Sequence, residues 1–161
     1  MASVFWDAEG ILFIDYLEKV KTITGEYYSN LLTRLDEKNS WEKTRFAKEK
    51  KIIFHQDSAP AHKIVLAMGK LRDLQYELLE HPSYSTEHPS CATDLAPYDF
   101  CLFPKHKLFH AGQHFSSTQE ATAAVEGYFA DLTKHHYRDG ITVLEHRWNK
   151  CIGLKGDYVE K

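Results

Sequence analysis

The run from Lys51 to Glu80 constrains the fold most. Lys51-Ile52-Ile53-Phe54-His55 is a short, β-rich apolar run. Asp57 follows, and Pro60 suits the first turn of a helix with Ser58 as its candidate cap. Ile64, Ala67, Leu71 and Leu74 then recur at helical spacing, and residues 75–80 are strand-like again. Strand, helix, strand predicts a parallel βαβ unit and therefore an α/β chain. With 161 residues the chain has the length of one domain and enough material for a core.

The remaining elements order themselves around that unit. Residues 3–7 and 11–17 are apolar runs around Ala8-Glu9-Gly10, which predicts a β-hairpin, the second strand covered on both faces. Thr24 or Gly25 caps a helix over 26–38 with Tyr27, Tyr28, Leu31, Leu32 and Leu35 on its core face. A lysine-rich connection follows to residue 51. Asp94 or Pro97 opens a later helical segment with Asp99 in its first turn, which Pro104 breaks or bends. Ser117-Thr118-Gln119-Glu120 matches a capping box for a helix from 118 to about 135, with Ala121, Val125, Tyr128, Phe129 and Leu132 as its apolar stripe. Asp139-Gly140 starts the last helix, with Ile141, Leu144, Trp148, Cys151 and Ile152 expected inward.

Between the βαβ unit and Asp99 lies a tandem repeat. Glu80-His81-Pro82-Ser83-Tyr84-Ser85-Thr86 is followed at once by Glu87-His88-Pro89-Ser90-Cys91-Ala92-Thr93, with five of seven positions identical. The duplication separates two acidic positions at element boundaries, Asp57 and Asp99. A strand-end Asp before a helix is most often a cap, and an acidic residue in a first helical turn most often serves the helix dipole.

Composition excludes little. A net charge of −3 argues against a strong nonspecific nucleic-acid clamp. Cys91, Cys101 and Cys151 form no CxxC pair, which predicts reduced thiols in an intracellular chain. No apolar run approaches a membrane span. His55, His62, His81 and His88 cluster near the aspartates but match no standard zinc spacing.

His55-Gln56-Asp57-Ser58-Ala59-Pro60-Ala61-His62 resembles the HxDNAPxH motif of the mariner-family transposases of the Tc1/mariner superfamily. Tyr84-Ser85 with Asp94-Leu95-Ala96-Pro97-Tyr98-Asp99-Phe100 resembles their YSPDLAPxD[FY] motif. Val4-Phe5-Trp6-Asp7 and Asp15-Tyr16-Leu17 are similar to the second and third strands of that family, and the segment from Arg147 to Lys161 to its C-terminus. The resemblance runs over the whole chain. It implies a ribonuclease H-like catalytic domain over residues 1–161, with no helix-turn-helix DNA-binding domain. It further implies a three-aspartate site for two Mg²⁺ or Mn²⁺ ions and DNA as the partner, specifically transposon ends. A homodimer or association with intact transposase, and a nuclear location, are also implied.

By motif, Asp57 matches the second catalytic aspartate and Asp99 the third, with His55, Ser58, His62 and Asp94 around them. Forty-one residues separate Asp57 from Asp99, and removing one repeat copy leaves the family's thirty-four. The first aspartate belongs to a strand that precedes the Val4 run in the family. On this reading the chain is N-terminally truncated, lacks the first, central strand of the sheet, and does not cut DNA alone. Asp7 matches a different position, and Ser58 stands where the family usually has Asn. The alternatives are a non-catalytic module that binds DNA or transposase, and a non-functional relic.

Overall fold

The computed structural model describes residues 1–18, 21–45, 52–56, 59–79 and 97–153, except for the side chains of 39–45, 98 and 99. The chain divides into two compact units, Met1–Phe5 with Leu12–Ser83, and Trp6–Ile11 with Tyr84–Lys161.

Near the start of the chain, β1 (Ala2–Trp6) and β2 (Ile11–Tyr16) pair as the expected hairpin. The Asp7 carboxylate makes the turn between them by accepting from the backbone N–H groups of Glu9 (2.7 Å) and Gly10 (3.1 Å). Gly10 sits at φ 147°, a conformation that side chains resist. Asp7 is therefore a turn former.

Helix α1 (Gly25–Arg45) starts where expected, because the Thr24 hydroxyl accepts from the Tyr27 N–H at 3.1 Å. It runs further than expected, into the lysine-rich stretch that the sequence suggested as a connection. Tyr28, Leu31, Leu32 and Leu35 on its inner face build the core with Phe13, Ala67, Leu71 and Tyr76. Burial of each large side chain contributes about 1.5–3 kcal/mol.

The βαβ unit is present. β3 (Ile52–His55) and β4 (Tyr76–Leu79) run parallel, with Ile52 opposite Tyr76 and His55 opposite Leu79. Their crossover is two helices rather than one, α2 (Pro60–Lys63) and α3 (Val65–Asp73), because Ile64 is extended at ψ 144°. The Ile64 side chain lies where a Cβ on Gly25 would sit, 2.8 Å from its Cγ2, so packing against the start of α1 interrupts the helical periodicity. Helix α2 is capped by Ala59 without a side-chain bond, so the capping position is not the one assigned to Ser58. The two strand pairs stay separate sheets among the described residues.

Asp15 on β2 is buried without exposing a charge to apolar surroundings. The Tyr27 hydroxyl and the Arg34 guanidinium both donate to its carboxylate. That bond to Asp15, reinforced by burial, pushes the Tyr27 phenol up to about 12.

The second unit is helical. Pro97 opens the segment, but residues Tyr98–Leu102 form a π-helical turn before α4 (Phe103–Phe109). Pro104 does not break this segment. It occupies the first turn of α4, where a missing N–H costs little. Helix α5 (Thr118–Asp131) begins on the expected cap. The Ser117 hydroxyl accepts from the Glu120 N–H at 3.1 Å, and the Glu120 carboxylate reaches back to the Ser116 N–H at 2.7 Å.

Helix α6 (Lys134–Gly153) begins earlier than Asp139, because Leu132 is extended and ends α5. Lys134 and Arg138, one turn apart at its start, both bind the Glu9 carboxylate. Lys134 first, then Arg138, holds that carboxyl down at about 2. The inward face of α6 carries Tyr137, Gly140 and Cys151, whereas Ile152, expected inward, is 71% exposed and Ile141 is exposed too. Cys101 is a free thiol, but Cys151 is disulfide-bonded, against the expectation of reduced thiols throughout.

Gly140 is a packing residue. A Cβ there would meet the Cys101 sulfur at 2.8 Å and Trp6 Cη2 at 3.1 Å, whereas at Gly127 on α5 it would meet nothing within 4 Å. Gly140→Ala is expected to lower stability despite a helix-propensity gain of about 0.5–1 kcal/mol, since overpacking costs about 1–3 kcal/mol. Gly127→Ala is expected to raise it. Urea melts of the two variants check this, and equal shifts of the same sign would contradict it.

Candidate active site

The motif around Asp57 begins where β3 ends. His55 is the last strand residue and is half-buried. Gln56 comes next and is buried to 7% exposure, the most enclosed residue of the motif that is described. Its side-chain oxygen accepts from the Tyr28 hydroxyl at 2.8 Å, and its amide nitrogen donates to the His62 carbonyl at 3.3 Å. The His62 ring lies against Tyr28 with centroids 4.1 Å apart.

One buried amide therefore ties the end of β3, the core face of α1 and helix α2 together. It closes the six-residue segment on which Asp57 and Ser58 are carried. The bonds matter because a buried polar side chain is tolerated only when satisfied, and Gln56 uses its donor and its acceptor on two different elements. Sequence reasoning passed over Gln56. The available signal was its place between a strand end and an acidic residue, where an amide can bond in both directions.

Asp57, Ser58 and Asp94 lie outside the described residues. Asp99 is on the π-helical turn Tyr98–Leu102, and the backbone there is the described part of it. The expectation of an acidic residue in a first helical turn thus holds in position but not in helix type. A π turn is a rare geometry that recurs at functional sites. Among the described residues, no group of three or more His, Cys, Asp and Glu side chains is arranged to hold a metal ion. Of the flanking histidines, His62 is drawn into the Gln56–Tyr28 cluster.

The donor chemistry of the two motif carboxylates suits hard, oxygen-seeking cations such as Mg²⁺ and Mn²⁺ rather than soft ones. No helix among the described residues is long and apolar enough to cross a membrane.

Comparison with known proteins bears on what these motifs are. Residues 1–50 match the family model described as transposase, partial DDE domain. Over 99% of its length the chain is 30% identical to the Mariner Mos1 transposase of Drosophila mauritiana, of which it spans 45%. Over 99% of its length it is also 29% identical to the human histone-lysine N-methyltransferase SETMAR, of which it spans 22%. The chain thus spans less than half the length of these relatives.

Its fold matches the Mos1 transposase catalytic domain solved with raltegravir and Mn, with a TM-score of 0.87 and 29% identity, over 98% of this chain and 76% of that one. It matches the Mos1 transposase paired-end complex with left transposon end at a TM-score of 0.85 and 29% identity, over 98% of this chain and 44% of that one. The family model covers the first fifty residues, and the sequence and fold matches extend over nearly the whole chain. Together these matches support a mariner transposase catalytic region with the ribonuclease H-like fold.

Proposed function

We propose that this chain carries two of the carboxylates of a metal-dependent DNA cleavage and strand-transfer centre, Asp57 and Asp99, and that as a 161-residue polypeptide it binds divalent metal and DNA without cutting. The observation that carries the reading is the fold match at a TM-score of 0.87 over 98% of the chain, joined to the motifs that bracket those two residues. Mg²⁺ or Mn²⁺ would supply a clamp on the attacking and leaving oxygens of an in-line phosphoryl displacement. The protein's part is to present hard oxygen donors at fixed positions. Gln56 and His62 hold the segment that carries Asp57, and the backbone of Asp99 lies on the π turn. His55, Ser58, His62 and Asp94 surround the carboxylates in sequence and support them.

Loss of cutting is supported by the duplicated heptad, which lengthens the connection between Asp57 and Asp99. Extra loop length costs the fold little, about 0.6 kcal/mol even for a doubling. Catalysis is less tolerant, since a displacement of about 1 Å costs roughly 100-fold in rate. The DNA partner is a transposon end, as in the Mos1 paired-end complex, and the compartment is the nucleus. Self-association or pairing with an intact transposase is the route by which such a chain would act as a regulator.

The test is a nicking assay on supercoiled DNA bearing mariner ends, with Mg²⁺ or Mn²⁺, alongside Mn²⁺ binding followed by electron paramagnetic resonance. The expected outcome is no nicking, with Mn²⁺ binding weakened at least about tenfold by Asp57→Ala and by Asp99→Ala. Nicking that disappears in Asp57→Ala would overturn the loss of cutting. Mn²⁺ binding indifferent to both substitutions would overturn the site.

A further inference from the structure

Two histidines on α4 have no part in the reading above. His106 lies in the last turn of α4 and His110 is its C-terminal cap, with the His110 N–H bonded to the His106 carbonyl at 3.2 Å. One turn of helix thus separates them, and their rings share a face with centroids 4.6 Å apart. His106 stacks on Phe129 at 5.5 Å and meets the edge of Tyr128 at 5.2 Å. His110 lies 6.0 Å from the Tyr128 ring.

The proton of His110 can be assigned from its neighbour. Gln113 donates its side-chain nitrogen to the Phe109 carbonyl at 3.2 Å, which turns its oxygen toward His110 Nδ1 at 3.1 Å. An amide oxygen accepts only, so Nδ1 carries the hydrogen and Nε2 is left with a lone pair. The Nε2 atoms of both His106 and His110 are buried and have no hydrogen-bond partner among the described residues. A buried polar atom without a partner costs about 1–3 kcal/mol, and two on adjacent turns of one helix are an uncommon expense.

A cation that prefers imidazole would remove both costs at once. The geometry points to a divalent late first-row transition-metal site, of the Zn²⁺ type, held by Nε2 of His106 and Nε2 of His110, with water filling the remaining positions. Imidazole is a ligand of choice for such metals, and histidines four residues apart on one helix face are a recurrent way to supply two of them. The Gln113 oxygen bound to His110 Nδ1 is the kind of outer partner that fixes a ligating ring. The groups facing the pair are aromatic or neutral, namely Tyr128, Phe129, Phe109, Phe115 and Gln113.

The experiment is calorimetric titration of the whole chain with Zn²⁺ in excess Mg²⁺, which occupies oxygen-only sites. One Zn²⁺ per chain is expected, weakened at least about tenfold by His110→Ala and by His106→Gln, and about tenfold by Gln113→Ala, which alters no ligand. Asp57→Ala should leave it unchanged, which separates this site from the proposed carboxylate centre. Circular dichroism confirms that each variant is folded, and a Co²⁺ absorption spectrum that changes with His110→Ala reports ligation directly. Zn²⁺ binding that survives both histidine substitutions, or that vanishes with Asp57→Ala, overturns the assignment.

Discussion

Leu32→Ala is expected to cost about 2–5 kcal/mol of folding free energy. Leu32 is fully buried at 0% exposure, at the middle of the α1 face where Leu31, Leu35, Phe13, Ala67, Leu71 and Tyr76 meet. Truncation removes the transfer free energy of the side chain and leaves a cavity that these neighbours can only partly fill. The surrounding groups are held from three directions, by the β2 strand, by α3 and by the parallel pair β3–β4, so collapse around the gap is limited. Domains of this size are stable by about 5–15 kcal/mol, so a single methyl cluster carries a third or more of the margin in many cases. Urea unfolding followed by circular dichroism measures it, and a loss below about 1 kcal/mol would show that the α1 face is not the centre of this unit's core.

Gln56→Ala is the second large effect, and it reaches the proposed site. The substitution removes the acceptor of the Tyr28 hydroxyl and the donor to the His62 carbonyl together. The expected loss is about 1–3 kcal/mol, because buried groups lose partners rather than exchange them. Tyr28→Phe removes one of the two bonds and keeps the ring against His62, so its cost should be smaller, about 0.5–1.5 kcal/mol. The two variants also differ in what they do to Asp57. Gln56→Ala frees the segment from Asp57 to His62 and should weaken Mn²⁺ binding, whereas Tyr28→Phe leaves the Gln56–His62 tie and should not. Equal Mn²⁺ affinities in the two variants would mean that the amide supports stability without positioning the carboxylate.

Much of the architecture could be read from periodicity. The hairpin, the capped helix α1, the parallel β3–β4 pair and the Ser117 capping box depend on local patterns of two kinds, turn and cap chemistry and apolar spacing. Both act within a few residues, so they are visible in one dimension. The places that differ are those where a distant partner overrides local preference. Ile64 leaves the helix because Gly25 offers it space. Leu132 ends α5 early, and Lys134 and Arg138 at the start of α6 are engaged by Glu9 from the hairpin turn. Tyr137 and Gly140, rather than Ile141 and Ile152, face inward because Trp6 and Cys101 lie on that side.

The same division holds for the candidate site. The two motif aspartates, their flanking histidines and the repeat that lengthens the distance between them are properties of residue order, and the resemblance they carry was legible in the sequence by itself. The buried amide of Gln56, the π turn that carries Asp99, the satisfied charge of Asp15 and the paired imidazoles of His106 and His110 were decided by tertiary structure alone. Hydrogen-bond satisfaction and burial depend on which groups meet across the fold, and no spacing in the chain encodes that meeting directly. Order along the chain determines which chemistry is available, and packing determines which polar atoms are paid for with a partner and which are left waiting for one.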